Sequence, residues 1–261
     1  MYIQGGIMSD IIKIESFKYQ NIFEDLNISI KENSFTAITG PNNCGKTTLM
    51  RILNRTIITD NIININNYNI NDYLIEEYSK LVQCVIPLEI VFHEYSIQDE
   101  LLNYGNQEEI DKITSELKIK NLLKKSEKNL TTKEIVLIQI IIALLKKPKI
   151  LLLDNLKEYL KEDTMKIISY LKNYQKDNNL TLVIATIQLD EIIDSDYVYI
   201  IKNGKVELEG DPIILLEKDN IINKIGLNLP FCIDLSVKLK DYNLLNEIKT
   251  DNLRIINDIW K

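Results

Sequence analysis

Eight consecutive residues carry the clearest chemical signal of this sequence. Glycines stand at the first and sixth positions, and a lysine and a threonine close the run, which reads Gly40, Pro41, Asn42, Asn43, Cys44, Gly45, Lys46 and Thr47. Glycines let the backbone curl so that its N–H groups point towards an anion. At this spacing the lysine contacts the terminal phosphates of a nucleotide, and the threonine hydroxyl contacts Mg²⁺. The run therefore predicts a nucleoside triphosphate site, and we assign nucleotide contacts to these eight residues and to Thr48.

A phosphate-binding loop of this kind must lie between a strand and the start of a helix. The apolar residues 34–39 precede the loop and predict a strand, and residues 48–53 follow with the pattern of a helix. A chance glycine turn ahead of a helix is the alternative interpretation. The presence of both flanking elements disfavours it.

Further predicted strands end beside side chains that could serve the same site. Residues 150–153 are apolar and Asp154 follows them, which is typical of a buried parallel strand that ends in an acid. Residues 180–186 predict a second buried strand, and residues 81–86 predict a third. The alternating residues before Tyr19 predict a half-buried strand. The Tyr19 ring could stack on a base, and an ordinary edge-strand aromatic is the alternative.

The remaining pattern alternates helices with strands. Helices are predicted at residues 96–102, 107–117, 132–145 and 165–174, with one helical turn at 190–194. Antiparallel strands are predicted at 11–19 and 22–30, in a short pair within 56–68, and in a hairpin around Asn203-Gly204. The sequence therefore predicts an α/β fold with a mainly parallel core sheet, helices on both faces, an antiparallel N-terminal part and a helical insertion.

Composition limits the classes of partner. The net charge of −7 argues against nucleic acid, because a phosphate backbone requires a basic surface. No apolar run reaches the roughly 18 residues that span a bilayer, so we expect any membrane role to be peripheral. Residues 1–7 lack the pattern of a signal peptide, and the start is Met1 or Met8. The cysteines have no metal or disulfide spacing and predict reduced cytosolic thiols, with a redox role in the loop as the alternative; they are Cys44, Cys84 and Cys232.

The order of these motifs resembles that of the ATP-binding cassette (ABC) ATPases. The resemblance covers nearly the whole chain and implies a P-loop NTPase fold, ATP and Mg²⁺ as ligands, and ATPase activity. Residues 225–231, residues 235–239 and Trp260 are similar to the tail of the ATP-binding subunits of energy-coupling factor (ECF) importers.

This resemblance also implies how the chain is divided. It places a nucleotide-binding domain at residues 1–215, with a helical subdomain inserted at about 96–147. A C-terminal extension follows at residues 216–261. The inserted subdomain resembles the part of the family that docks on a membrane subunit.

The resemblance implies a role for each matching residue. Tyr19 matches the aromatic residue that stacks on adenine. Gln83 matches a catalytic-site glutamine that contacts Mg²⁺ and the γ-phosphate. Asp154 matches the acid that holds the Mg²⁺ shell, which Thr47 completes.

Two departures from the family pattern affect cleavage of ATP. Asn155 stands at the catalytic glutamate's position, and an amide orients water but cannot take its proton, which typically costs about 10² to 10⁴ in rate. Ile187 stands at the switch histidine's position and removes a polar contact to the γ-phosphate. The single histidine, His93, lies elsewhere in the chain, and we interpret it as a surface residue.

The segment that aligns with the family's glycine-rich signature contains no glycine. It reads Leu130, Thr131, Thr132, Lys133 and Glu134, and Thr131 and Thr132 are its candidates for contact with a partner's nucleotide. Lys133 adds bulk and Glu134 adds a negative charge. We therefore expect the partner's site to be weakened.

The sequence thus predicts an ABC-type ATPase subunit that binds Mg-ATP and hydrolyses it slowly at its own site. The resemblance implies a second ABC ATPase subunit in a heterodimer and an integral membrane scaffold at the cytoplasmic face of the cell membrane. Two alternatives stay open. One is a nucleotide-binding regulatory or structural partner that does not hydrolyse ATP, and the other is a soluble cassette protein without a role in transport.

Overall fold

The computed structural model describes residues 9–88, 90–250 and 252–259. The two candidate starts, Met1 and Met8, and the closing Trp260 lie outside the described residues.

Ten strands of the described chain form one sheet, and the apolar runs of the sequence supply most of them. The strands are β1 Asp10–Tyr19, β2 Phe23–Lys31, β3 Phe35–Thr39, β4 Ile63–Ile65, β5 Tyr68–Asn69, β6 Val82–Val85, β7 Ile150–Asp154, β8 Thr181–Thr186, β9 Tyr197–Lys202 and β10 Lys205–Gly210. Their order is β5-β4-β1-β2-β10-β9-β3-β8-β7-β6. β9, β3, β8, β7 and β6 pair in parallel, whereas β1 pairs antiparallel with β2 and β4. The predicted parallel core and antiparallel N-terminal part are confirmed.

Helices connect these strands. They are α1 Lys46–Leu53, α2 Ile75–Leu81, α3 Ile97–Leu102, α4 Gln107–Glu116, α5 Thr132–Leu145, α6 Lys157–Leu160, α7 Thr164–Asn178, α8 Pro212–Leu216, α9 Asp219–Ile225, α10 Phe231–Asp241 and α11 Asn252–Ile259. The predicted helices at 96–102, 107–117, 132–145 and 165–174 correspond to α3, α4, α5 and α7. Among the helices of the described chain, none combines the length and apolar character that a membrane crossing needs.

The core lies on both faces of the sheet because side chains alternate along each strand. On β7, Leu151 and Leu153 pack with α5 and α7, whereas Ile150 and Leu152 pack with α1 on the opposite face. Every residue of α5 from 136 to 145 is buried. The predicted helices on both faces are therefore confirmed. Packing on both faces fixes the position of each strand end relative to its neighbours.

Two local predictions differ from the structure. α2 is absent from the sequence-based prediction because only Tyr78 of its seven residues is buried, so no helical apolar period marks it. Residues 189–194 form a series of turns rather than a helical turn. Short contacts hold these turns, including a 2.6 Å bond from Ser195 Oγ to the carbonyl oxygen of Ile192.

The predicted boundary at residue 215 falls inside α8. Beyond it, Ile222, Leu227, Ile233 and Val237 join the same apolar cluster as α5 and β7. The extension therefore packs on the main core, and the division at 215 stays a prediction.

Candidate functional site

A cavity of about 440 Å³ opens where several parallel strands end. Thr39 of β3 pairs with Thr186 of β8, and Ala185 of β8 pairs with Asp154 of β7, so these strands end at nearly the same level. Ligands of open α/β sheets bind outside these carboxyl ends. The cavity is lined by Ile22, Asn42, Asn43, Gly45, Lys46, Thr47, Thr48, Asp154, Asn155 and Ile187.

The loop between β3 and α1 requires glycine at both predicted positions. Gly40 has a φ of +151°, and a Cβ there would overlap the carbonyl oxygen of Ile201. Gly45 has a φ of +101°, and a Cβ there would lie 2.7 Å from the Phe23 ring. Left-handed backbone and close packing together exclude a side chain at either position.

Lys46 lies within the curl of this loop. Its Nζ atom donates to the carbonyl oxygens of Gly40 at 2.7 Å and Pro41 at 2.9 Å, and lies 3.5 Å from Cys44 Sγ. Cys44, itself a residue of the loop, is buried. The ammonium group is therefore held where the loop would surround a phosphate.

These residues fit a nucleoside triphosphate with Mg²⁺. No side chain caps α1, so its N-terminal N–H groups are available to an anion. Asp154 is 4% exposed and shares the cavity with Thr47. A carboxylate and a hydroxyl are oxygen ligands of the kind that Mg²⁺ prefers, with phosphate and water supplying the rest. Within the described residues, no group of three or more acidic, histidine or cysteine side chains forms a metal cage.

Gln83 is not among the residues that line the cavity. Gln83 is the second residue of β6 and pairs with Leu151, three residues before Asp154 in β7. Three residues of strand span about 10 Å. The Gln83 side-chain nitrogen donates instead to the carbonyl oxygen of Ser79 in α2. The register of β6 therefore places Gln83 outside the cavity lining, and its contact with Mg²⁺ stays a prediction.

Tyr19 lies beside the cavity rather than in its wall. Its ring stacks on Phe17 with a centroid distance of 6.4 Å and an interplanar angle of 10°. Its carbonyl oxygen accepts a 3.0 Å hydrogen bond from the N–H of Ile22, which does line the cavity. The adenine contact of Tyr19 stays a prediction.

Asn155 and Ile187 both lie in the cavity wall. Asn155 has a φ of +47°, and its N–H donates to the carbonyl oxygen of Ala185 at 2.8 Å. Its side-chain Nδ2 donates to Glu158 Oε2 at 2.7 Å. The cavity wall thus includes an amide and an aliphatic side chain at these two positions.

Thr131 and Thr132 lie in a different groove, of about 590 Å³, which the segment 158–163 also lines. Thr131 caps α5: its Oγ1 accepts from Glu134 N at 3.3 Å, and its N–H donates to Glu134 Oε2 at 2.9 Å. Lys125 donates to the same carboxylate at 2.8 Å. Partial burial raises the pKa of Glu134, but these hydrogen bonds outweigh it and hold the pKa below its usual value. The start of α5 therefore already holds an anionic group of its own chain.

Lys133 in the same groove is also neutralised within the chain. It forms an ion pair with Asp163, next to the start of α7. Its charge is therefore directed to Asp163 rather than left unpaired at the groove.

Glu191 is a buried carboxyl close to the site that is absent from the residues predicted from the sequence. Glu191 is 2% exposed, and its Oε1 has no hydrogen-bond partner. Burial raises its pKa to about 7, opposed by a hydrogen bond with Thr186 at the end of β8. Nearby, Lys157 of α6 pairs with Asp190 at 3.0 Å. No pattern in the sequence distinguishes this carboxyl from a surface acid.

Both the sequence and the fold of this chain are similar to those of known proteins. The family profile described as ABC transporter matches residues 23–157, which include the loop and Asp154. The energy-coupling factor transporter ATP-binding protein EcfA1 of Halalkalibacterium halodurans is 22% identical, over 95% of this chain and 96% of the relative. The corresponding EcfA protein of Malacoplasma penetrans is 25% identical, over 94% and 91%. The solved structure of cbiO1 from Clostridium perfringens is described as part of the ABC transporter complex cbiONQ. It superposes on this chain with a TM-score of 0.70 and 24% identity, over 89% of this chain and 99% of that chain.

Proposed function

This chain belongs to the ABC transporter family, and on that premise we propose that it is the ATP-binding subunit of an ECF-type importer. Its residues bind Mg-ATP and couple closure around the nucleotide to an integral membrane scaffold at the cytoplasmic face of the membrane. The names of the EcfA relatives support this proposed function. We assign residues 1–215 to the nucleotide-binding domain and 216–261 to its extension.

The observation that carries this proposal is the cavity that joins Lys46, Thr47 and Asp154 at the start of α1. Lys46 neutralises the terminal phosphates, and Thr47 and Asp154 hold Mg²⁺. The uncapped N–H groups of α1 bind phosphate oxygens. Mg²⁺, when bound, offsets the charge of the β- and γ-phosphates.

Cleavage of the nucleotide is slow in this proposal. Asn155 can orient a water but cannot remove its proton. Ile187 offers no hydrogen bond to charge that develops on the γ-phosphate. The cavity therefore favours retention of ATP over its hydrolysis.

An exposed apolar loop supports docking to a scaffold. Leu88, Val91 and Tyr95 are exposed between β6 and α3. Exposed apolar side chains grouped on one segment are a common mark of an interface. These apolar side chains would be more stable in a protein–protein interface than in water.

Buried polar groups hold that loop in place. The Gln139 side chain of α5 accepts from Leu88 N at 3.2 Å and donates to the carbonyl oxygen of Ile86 at 3.3 Å. The Glu100 carboxylate of α3 accepts from His93 N at 2.8 Å and from Glu94 N at 3.0 Å. A movement of the docked loop would therefore be transmitted to α3 and α5.

The groove at Thr131 supports a second ABC ATPase subunit of different sequence. Glu134 fills the start of α5 with a carboxylate, which competes with any phosphate that a partner brings there. A heterodimer in which the partner supplies a competent signature avoids this conflict at one of its two sites. We therefore favour a heterodimer over a homodimer.

A regulatory partner that binds ATP without hydrolysis is the second candidate function. The presence of both Asn155 and Ile187 in the cavity favours it. The two candidate functions can be distinguished by measuring transport in an assembled complex. Loss of transport when this chain carries Lys46→Ala would favour the importer subunit, and unchanged transport with altered regulation would favour the second candidate.

Nucleotide titration of the purified chain tests the shared core of both candidates. We expect saturable binding of Mg-ATP by the unmodified chain and a loss of at least about 100-fold in affinity for Lys46→Ala, because charge-assisted contacts to two phosphates are removed. Lys18→Ala, an exposed lysine outside the cavity, is the matched control and should bind normally. Equal affinity of the unmodified chain and Lys46→Ala would overturn the proposal.

A further inference from the structure

Asn155 is anchored at both its backbone and its side chain. Its N–H donates to the carbonyl oxygen of Ala185 at 2.8 Å, with the backbone in the left-handed region at a φ of +47°. Its Nδ2 donates to Glu158 Oε2 at 2.7 Å. Asn155 lines the nucleotide cavity, whereas Glu158 lines the neighbouring groove of Thr131. The side chain that holds Asn155 therefore lies outside the cavity.

The chemistry of Glu158 decides which end of the amide it holds. An ionised carboxylate accepts hydrogen bonds and donates none. The amide nitrogen must therefore face Glu158, and Oδ1 is turned to the other side. With Glu158 on the groove side, that other side is the nucleotide cavity.

The segment that carries Glu158 is itself fixed. Leu156 and Leu160 are buried on either side of it, with exposures of 3% and 1%. Lys157 forms a 3.0 Å ion pair with Asp190, in the turns that follow Ile187. Glu158 is exposed, but its backbone is held by these contacts. It can thus act as a stable support for the amide.

We propose that Glu158 is a positioning residue of the nucleotide site, which turns the Asn155 amide so that Oδ1 rather than Nδ2 faces the terminal phosphate. An inward Oδ1 accepts a hydrogen bond from water beside the γ-phosphate. An inward Nδ2 would instead donate to a γ-phosphate oxygen and tighten the binding of uncleaved ATP. This inference rests on the proposed function, because it presupposes ATP in the cavity.

Nucleotide preference is the property that this orientation controls. ADP lacks the γ-phosphate, so the ratio of ATP to ADP affinity isolates the contact. In Glu158→Ala the amide loses its anchor and can turn Nδ2 inward. We expect the ATP-to-ADP affinity ratio to rise about three- to tenfold, the effect of one added hydrogen bond. The measurement is competitive titration of the full chain with Mg-ATP and Mg-ADP.

Glu158→Gln is the matched variant that keeps the length of the side chain but removes its acceptor-only chemistry. Its amide can accept from Asn155 Nδ2 or donate to Asn155 Oδ1, so it no longer decides which end of the Asn155 amide it holds. We expect its affinity ratio to lie between those of the unmodified chain and Glu158→Ala. An equal rise in both variants would mean that charge alone is responsible and would overturn the proposal, as would an unchanged or lower ratio in Glu158→Ala.

An NMR signature tests the contact without nucleotide. The side-chain amide signals of Asn155, assigned by their loss in Asn155→Asp, should shift in both Glu158→Ala and Glu158→Gln, because neither variant offers the carboxylate acceptor to Nδ2. Signals that are the same in all three proteins would overturn the positioning role. If the unmodified chain did not bind ATP at all, the proposed function would fail, while these signals would still report whether Glu158 holds Asn155.

Discussion

The Nζ atom of Lys46 lies 2.7 Å from the carbonyl oxygen of Gly40. One hydrogen bond therefore joins Lys46, near the end of the loop, to the first residue of the loop. The ammonium group occupies the concave side of the loop, where phosphate oxygens would take over from the carbonyl contacts. This arrangement depends on how closely Gly40 approaches Ile201 of β9. The binding site is therefore built on a packing contact as well as on charge.

We expect Gly40→Ala to destabilise the protein by about 3 kcal/mol. An alanine is strained at the positive φ of this position, and its Cβ would overlap the carbonyl oxygen of Ile201. Gly210→Ala is the matched control. Gly210 also has a positive φ, +138°, but nothing lies within 4 Å of a Cβ added there, so we expect a cost of only about 1 kcal/mol. Urea unfolding followed by circular dichroism measures both. Equal losses in the two variants would show that the loop does not depend on this contact.

Restoring the missing catalytic groups should raise turnover only in an assembled complex. Asn155→Glu supplies a general base, worth about 10² to 10⁴ in rate, and Ile187→His supplies a polar contact to the γ-phosphate. We expect the double variant to gain activity when a second ABC ATPase subunit is present and to stay near background alone. Release of phosphate from ATP is the measurement. Rapid turnover by the unmodified chain alone would contradict this account.

The buried Glu191 predicts a pH dependence of stability. Burial raises its pKa to about 7 in the folded protein, above the value of about 4.5 in the unfolded chain, so the folded state binds more protons between these values. Stability from this group is thus present below about pH 4.5 and is lost as pH rises through 7. We expect the free energy of unfolding to fall by about 3 kcal/mol between pH 5 and pH 8 relative to Glu191→Gln.

Glu191→Gln is also the control for this measurement, because it keeps the shape of the side chain without its titration. Other groups titrate equally in both proteins. Urea unfolding at pH 5 and pH 8 gives the difference. A parallel pH dependence in the two proteins would mean that Glu191 is ionised at neutral pH in the folded state.

The loop and the acid that faces it are predictable because their signals are local. Residues 40–47 carry the loop in one continuous motif, and Asp154 directly follows a fully apolar strand. Parallel pairing then brings both to one edge of the sheet. The parallel pairing of the core strands follows from the alternation of strands and helices.

Residues whose roles depend on register or on side-chain direction are less accessible to sequence reasoning. The resemblance assigns Gln83 to the site, but only the pairing of Gln83 with Leu151 shows that it lies about 10 Å from the level of Asp154. The contact of Glu158 with Asn155 depends on a tight turn with a positive φ at Asn155. No periodicity in the sequence encodes either relationship.

The nucleotide that remains on the protein tests the central claim most directly. The purified chain is incubated with Mg²⁺ and ATP labelled at the γ-phosphate, passed through a desalting column and denatured, and its nucleotide is identified. We predict that intact ATP is recovered with the unmodified chain and none with Lys46→Ala. Recovery of ADP with free phosphate, or of no nucleotide from the unmodified chain, would contradict a site that binds ATP and cleaves it slowly.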